Sequence, residues 1–261
     1  MRILIGIITA QHESRVPYIE RMRKHLKNSP LDYKFVFGAY GHQMVLVNGD
    51  SLYVACDDTR PYMVLKNQAL FRYALDNDYD FCFRVCDDTL VYPERLESAR
   101  LEQYDYAGNM TAKIQAGPVK IPMRYLDYMN GGCGIWLSQK AMEMLVADEW
   151  KGPIRKFPDN LDMGFGLHLN MEPWDWDDRW IGEVLKGNLS WDDPLRNNAF
   201  EAYVRNGINV YENDLMFFND DPSFPVSIHD PGKQKKAGIK SLAEWEESAN
   251  LIEKEILDGK L

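Results

Sequence analysis

Two adjacent carboxylates, Asp87 and Asp88, follow the short run Phe81-Cys-Phe-Arg-Val-Cys86. Phe81, Phe83 and Val85 share one face at period two, and Cys82, Arg84 and Cys86 share the other, so the run reads as a strand that ends in the acidic pair. Carboxylates at the carboxyl end of a buried strand are costly unless something pairs with them. A divalent cation held against a phosphate is one such partner, and a solvated turn is the plainer alternative. Three further stretches carry polar chemistry. Asn130-Gly-Gly-Cys-Gly134 is dense enough in glycine to bring backbone close to a ligand, or simply to turn tightly before a helix. It is neither a Walker A loop nor GxGxxG. Trp174-Asp-Trp-Asp-Asp-Arg-Trp-Ile-Gly182 sets three carboxylates among three Trp. Asp177 or Asp178 can cap the helix that follows, and a carboxylate beside flat rings can also deprotonate the hydroxyl of a sugar held there. Val226-Ser-Ile-His229-Asp230 offers one late imidazole, which counts as a ligand only if other ligands point to the same place.

The elements that must position these residues alternate. Arg2 to Ile8 is a continuous apolar run, as in a strand buried on both faces. Val16 to Leu26 has helical spacing through Val16, Ile19, Met22 or Arg23, and Leu26, with Ser14 as its cap and Pro17 in its first turn. Strands follow at Tyr33–Tyr40 and Leu52–Cys56, a helix at Tyr62–Leu75, and the 81–86 strand. The pattern β-α-β-β-α-β implies a mostly parallel sheet with helices on its faces. Ligands of such sheets bind beyond the carboxyl ends of the strands, so Thr9–Ser14, Asp57-Asp58 and Asp87-Asp88 should share one crevice. Beyond it the spacing predicts a helix over 94–103, a strand over 106–110, an irregular loop over 111–129, a helix over 139–146, a helix after Asp177 or Asp178, and a strand over 208–211. Residues 148–176 have no clear period and read as a mobile functional loop. Ser241-Leu-Ala-Glu244 is a capping box that opens a C-terminal helix.

The chain has 261 residues, enough for one large α/β domain or two small ones. Its net charge of −10 argues against broad binding to nucleic acid or anionic membrane. The one conspicuous basic patch is Lys233, Lys235, Lys236 and Lys240, which can equally be a solvated loop. Cys56, Cys82, Cys86 and Cys133 form no CxxC pair and read as buried, reduced thiols, which suits a reducing compartment. Met1 to Ile8 is too short to span a bilayer, and no signal peptide is recognisable before it.

Taken in order, the motifs resemble those of GT-A fold glycosyltransferases, and most closely the fringe and β-1,3-glycosyltransferase group. That group carries an Asp–Tyr–Lys helix stretch, an acidic triplet after a strand, a Gly-Gly segment, a Glu/Asp-Asp-x-x-Val/Ile-Gly segment and a late His. Here these read Asp58-Thr-Arg-Pro-Tyr62-Met-Val-Leu-Lys66, Cys86-Asp-Asp-Thr-Leu-Val91, Gly131-Gly132-Cys-Gly134, Asp177-Asp178-Arg-Trp-Ile-Gly182 and His229, over residues 1–230.

The resemblance implies an α/β fold of GT-A (Rossmann-like) type, with a mixed, mostly parallel sheet flanked by helices. It implies one domain over 1–240, with a nucleotide-binding half at 1–110 and an acceptor-side half at 111–240, followed by the C-terminal helix at 241–261. It further implies a metal-dependent, inverting transfer of a sugar from a nucleotide-sugar, UDP-linked by expectation, to an acceptor hydroxyl. Asp88 and His229 would hold Mn2+ or Mg2+, and Asp178 would be the catalytic base. Asp87, Asp58 and Lys66 would flank the nucleotide, with Asp87 near the ribose. Gly131 and Gly132 would line the donor sugar and the acceptor side. Apart from the resemblance, Trp174 and Trp176 are expected to stack against the acceptor, because flat apolar sugar faces pack on aromatic rings. Asp177 would cap the following helix instead. The acceptor is a glycan or another hydroxyl-bearing molecule, modified viral DNA included. The family's first acidic residue is Cys86 here, and the membrane anchor of its Golgi members is missing, which points to a cytoplasmic bacterial or viral enzyme.

Two other classes fit parts of the pattern. Cys86 suits a non-catalytic sugar- or nucleotide-binding protein on the same fold. A metal-dependent nucleotidyltransferase would share the architecture, but Thr9-Ala-Gln-His-Glu-Ser14 lacks the glycines of the signature loop usual in such enzymes.

Overall fold

Ile3–Ile8 (β1) is apolar or glycine at every position and buried at every position, as a strand covered on both faces must be. The computed structural model describes residues 1–39, 45–59, 62–108, 112–116, 119–123, 129, 131–132, 134–149, 176–186, 202–212 and 227–229. The expected C-terminal helix, the basic patch and most of the 148–176 loop lie outside the described residues.

Val16–Leu26 (α1) follows β1 and buries Ile19, Met22 and Leu26, whereas Val16 is exposed. Ser14 does not cap it. A single 3-10 turn, Glu13–Arg15, leads in, with the His12 ring accepting from the Ser14 N–H and Arg15 at the helix N-cap. Asp32–Gly38 (β2) stops two positions short of the expected end. Leu46–Asn48 (β3) and Ser51–Val54 (β4) form a hairpin where one strand was expected, turned by Gly49 at φ 56°. Met63–Asp76 (α2), Phe81–Cys86 (β5) and the short Thr89–Val91 (β6) come next.

The expected 94–103 helix breaks. Pro93–Ser98 (α3) ends before Arg100, whose φ of 52° no helix continues through, and a 3-10 turn Leu101–Gln103 follows. Tyr106–Gly108 is β7. The expected irregular stretch 111–129 instead contains a hairpin of Ala112–Ala116 (β8) and Val119–Met123 (β9). Breaker residues Gly117 and Pro118 separate its two strands in sequence. Ile135–Ser138 (β10) runs into Gln139–Ala147 (α4), which Ser138 caps by accepting from the Ala141 N–H at 3.3 Å. Trp176–Lys186 is α5. Ala202–Arg205 (β11) and Ile208–Glu212 (β12) are joined by Asn206-Gly207 at φ 49° and 75°, the Asn-Gly turn that matches strand twist. Ser227–His229 (β13) completes the described chain.

Nine strands form one sheet in the order β11-β12-β7-β10-β5-β1-β2-β4-β3. Strands β1, β2, β4, β5, β7 and β12 run one way, and β3, β10 and β11 run against them. The four strands expected to share a sheet therefore do. The alternation read from 81–86 also holds. Cys82 joins Leu4, Ile8 and the inner faces of α2, α4 and α5 on one side, while Phe83 and Val85 join Ile5, Ile7 and α1 on the other. Two separate pairs, β13 with β6 and β8 with β9, flank the main sheet. Among the described residues no helix is long and apolar enough to cross a membrane.

Gly6 lets α2 lie directly on β1, because a Cβ there would run into the Leu70 side chain. Gly6→Ala should therefore lower stability by about 1–3 kcal/mol, the usual cost of overpacking a filled core, as measured by urea unfolding.

Candidate active site

The chain leaves β1 towards α1 and β2 on one side, while β5 returns on the other side of β1. Such a switch point opens a crevice at the strands' carboxyl ends. Thr9, just past β1, is buried there and serves both walls. Its hydroxyl donates to Asp87 Oδ2 at 2.6 Å, and its carbonyl accepts from Lys66 Nζ at 2.9 Å. Lys66, 2% exposed, also pairs with Asp58. Asp58 in turn accepts from the backbone N–H groups of Gly38, at 2.8 Å, and Gln11. Asp58 and Lys66 thus tie the β1 loop to the ends of β2 and β4 from within, and Asp58 and Asp87 reach the same crevice through Thr9.

Asp87 and Asp88 occupy the turn between β5 and β6. Arg15 faces both, with one terminal nitrogen 3.2 Å from Asp87 Oδ1 and 3.6 Å from Asp88 Oδ2. Asp87 is 2% exposed, and burial pushes its carboxyl up to about 6 against the opposing pull of Arg15 and the Thr9 hydroxyl.

Arg84, 1% exposed, points from β5 into the face covered by helices. It pairs with Asp177, lies 3.4 Å from Asp178 Oδ1, and donates to Asn67 Oδ1 at 3.2 Å. Asn67 donates back to Asp177 Oδ2 at 2.9 Å. Burial strongly opposes the guanidinium's charge, and the carboxylates of Asp177 and Asp178 more than offset it, so its affinity for the proton ends above the ordinary value. Asp178 also accepts from the Gly131 N–H at 2.8 Å. A Cβ on Gly131 would collide with Arg84 and with Asp178, so only glycine fits between them. Thr89 donates to the Gly132 carbonyl at 2.5 Å, which fastens the same Gly-Gly segment to the acidic turn. The Cys86 thiol lies 3.9 Å from Arg84, and burial pushes its ionisation far up, so it offers no carboxylate-like charge.

The expectation that Asp177 caps α5 is therefore corrected. The helix already begins at Trp176, and Asp177 lies inside it as the buried counter-ion of Arg84. His229 is brought to the acidic turn by its backbone: β13 pairs antiparallel with β6, with His229 opposite Thr89. Its side chain lies outside what is described, as do Trp174 altogether and the Trp176 side chain, although Trp176 opens α5. Cys56 and Cys82 are buried free thiols, Cys86 is partly buried, and Cys133 lies outside the described residues.

Among the described residues no three His, Cys, Asp or Glu side chains cluster to hold a metal. A hard divalent ion does not require such a cluster. Such ions are usually held by one or two carboxylates plus substrate phosphates rather than by an all-protein cage. Asp88, with a cationic group already beside it, is a carboxylate of that kind. Sequence reasoning placed Thr9 in the crevice without a role for it, and missed Arg15, Asn67 and Arg84 as members of the site. Arg84 left a signal: a guanidinium on the helix-facing side of a buried strand must find carboxylates.

Two outcomes test this arrangement. Arg84→Met strands Asp177 without its cation and should cost about 3–5 kcal/mol in urea unfolding. Asp87 holds its proton to about pH 6 when folded, whereas the unfolded chain releases it near pH ~4. Between those values the native state binds more protons than the unfolded one, so this group makes stability fall as pH rises, by up to about 3 kcal/mol. Asp87→Asn should remove that fall, seen as a flatter urea midpoint across the window in metal-free protein.

No family model matches the chain, and no curated protein sequence does. Many solved structures are similar to the chain, and three likenesses serve as examples. The first is to A197 from STIV, at 15% identity and TM-score 0.33 over 55% of this chain and 68% of that one. The second is to a glycosyltransferase involved in the glycosylation of the major capsid of PBCV-1, at 9% identity and TM-score 0.46 over 96% of this chain and 100% of that one. The third is to the catalytic domain of Drosophila beta1,4galactosyltransferase 7, solved in complex with xylobiose, at 10% identity and TM-score 0.40 over 95% and 80%. With every score under 0.5, the functional reading rests on this chain's own residues.

Proposed function

We propose that this protein is a glycosyltransferase that moves a sugar from a nucleotide-sugar, UDP-linked, to an acceptor hydroxyl with inversion. One convergence carries the reading. The acidic turn after β5, the Gly131–Gly132 segment and the first turn of α5 are far apart in sequence, yet Thr89, Arg84 and the Gly131 N–H join them at one end of the sheet. They are the segments whose order resembles the glycosyltransferase pattern.

On this reading Asp88 and His229 hold a Mn2+ or Mg2+ ion. When bound, that ion supplies charge stabilisation for the departing diphosphate. Asp87, fixed by Thr9 and Arg15, faces the ribose side, and Asp58 with Lys66 fixes the floor of the nucleotide crevice from beneath. Asp178 takes the proton of the acceptor hydroxyl as that oxygen attacks the anomeric carbon from the face opposite the leaving group. Gly131 and Arg84 set its orientation, since one oxygen is held by a backbone N–H and the other faces the guanidinium. A single displacement inverts the anomeric centre. Trp174 and Trp176 serve the acceptor, whose apolar sugar face would pack on their rings.

Incubation with a set of UDP-sugars and Mn2+, followed for both UDP and pyrophosphate, tests the class. UDP release is expected. Pyrophosphate release would mark a nucleotidyltransferase, and binding without turnover a non-catalytic protein. Asp88→Ala should abolish turnover and weaken UDP binding in Mn2+, and His229→Ala should do so more mildly. Asp178→Asn should lower kcat about 10²–10⁴-fold with donor affinity nearly unchanged. Normal kcat in Asp178→Asn would remove Asp178 as the base.

A further inference from the structure

Among the described residues Arg15 is the cation paired with the acidic turn, and it does not belong to the sheet that carries that turn. It stands at the N-cap of α1, at the end of a one-turn 3-10 segment. Its side chain is 33% exposed, and its guanidinium lies 5.6 Å from the Tyr18 ring centre. One terminal nitrogen reaches Asp87 Oδ1 at 3.2 Å and Asp88 Oδ2 at 3.6 Å. Asp87 is held independently by the Thr9 hydroxyl on its other oxygen, so Arg15 is not needed to orient it. What Arg15 adds is positive charge at a doubly acidic turn.

We infer that Arg15 is a built-in counter-cation of the acidic turn, which competes with the divalent metal for Asp88 and is drawn off by the diphosphate of the incoming nucleotide. This rests on the metal-dependent nucleotide-sugar reading. A guanidinium and a divalent ion cannot share the same carboxylate face without repulsion, so metal alone must work against Arg15. A diphosphate gives the guanidinium a better partner, because it can take bidentate hydrogen bonds from the planar fork. The partly exposed position at the start of the helix lets the side chain turn without disturbing α1. Nucleotide then favours metal and metal favours nucleotide by the same factor, as linkage requires. The site would thus take up metal together with its donor and bind it weakly alone.

The test is Mn2+ binding, by calorimetry or by the loss of the free-ion electron paramagnetic resonance signal, with and without UDP. Wild type should bind Mn2+ weakly alone and more tightly with UDP. Arg15→Gln and Arg15→Met both remove the charge, and Met keeps the stem beside Tyr18, so one folded variant suffices. Either should bind Mn2+ alone about tenfold tighter, with the tightening by UDP reduced by a similar factor, within the usual range of such couplings. Arg15→Lys should restore the weak Mn2+ binding seen without UDP, which separates charge from packing. Unchanged or weaker Mn2+ binding in a charge-removing variant with wild-type melting temperature overturns the inference. No Mn2+ binding by wild type even with UDP overturns the metal reading itself, and the inference with it.

Discussion

A full positive charge with 1% of its surface exposed governs this structure. Arg84 sits on a central strand, under the helices, where an unpaired guanidinium would cost several kcal/mol. Its partners come from two helices, Asn67 on α2 and Asp177 and Asp178 on α5. Helix α5 therefore has to dock with its first turn over β5, and that docking sets Asp178 beside Gly131. The positions of the candidate base and the Gly-Gly segment follow from satisfying one buried charge. Replacing the whole network with apolar side chains could be as stable. What the charge gives is register: only one placement of α5 brings two carboxylates to one guanidinium.

A second polar network acts the same way on the other side of β1. Thr9 touches both carboxylate systems through different atoms, its hydroxyl meeting Asp87 and its carbonyl meeting Lys66. The ends of β1, β2, β4 and β5 are thereby linked at one rim. Apolar packing makes the sheet stable, and these few buried polar contacts decide how its rim is shaped.

Much of this was legible in the sequence where pattern and physics coincide. The apolar run of β1, the alternation in β5 and the helix α4 were readable because burial on both faces, burial on alternate faces and helical spacing each leave a local trace. The shared crevice of Asp58 and Asp88 was readable from strand order. Hairpins were less so. Strands β3 and β11 have three and four residues, too few to show a period, and Pro122 falls within β9. Asn206-Gly207 did carry a hairpin signal that went unused. Asp177 misled because a carboxylate in the first turn of a helix looks like a cap from sequence, and only the position of Arg84 distinguishes the two roles. Arg15 left no trace, since its closeness to Asp87 depends on the path between β1 and α1.

The burial of Arg84 also bears on how the chain matures. On a ribosome the first half emerges with β1, β2, β4, β5 and α2 complete in sequence, while the carboxylates that neutralise Arg84 are still inside or unmade. Strand β10, which lies between β5 and β7, is likewise still to come. A nascent half therefore carries an uncompensated guanidinium on an uncovered strand and has little reason to settle. Commitment waits for α5, and α5 brings Asp178 with it. The segment that neutralises Arg84 is also the segment that carries Asp178, so the buried charge and the candidate base find their partners together.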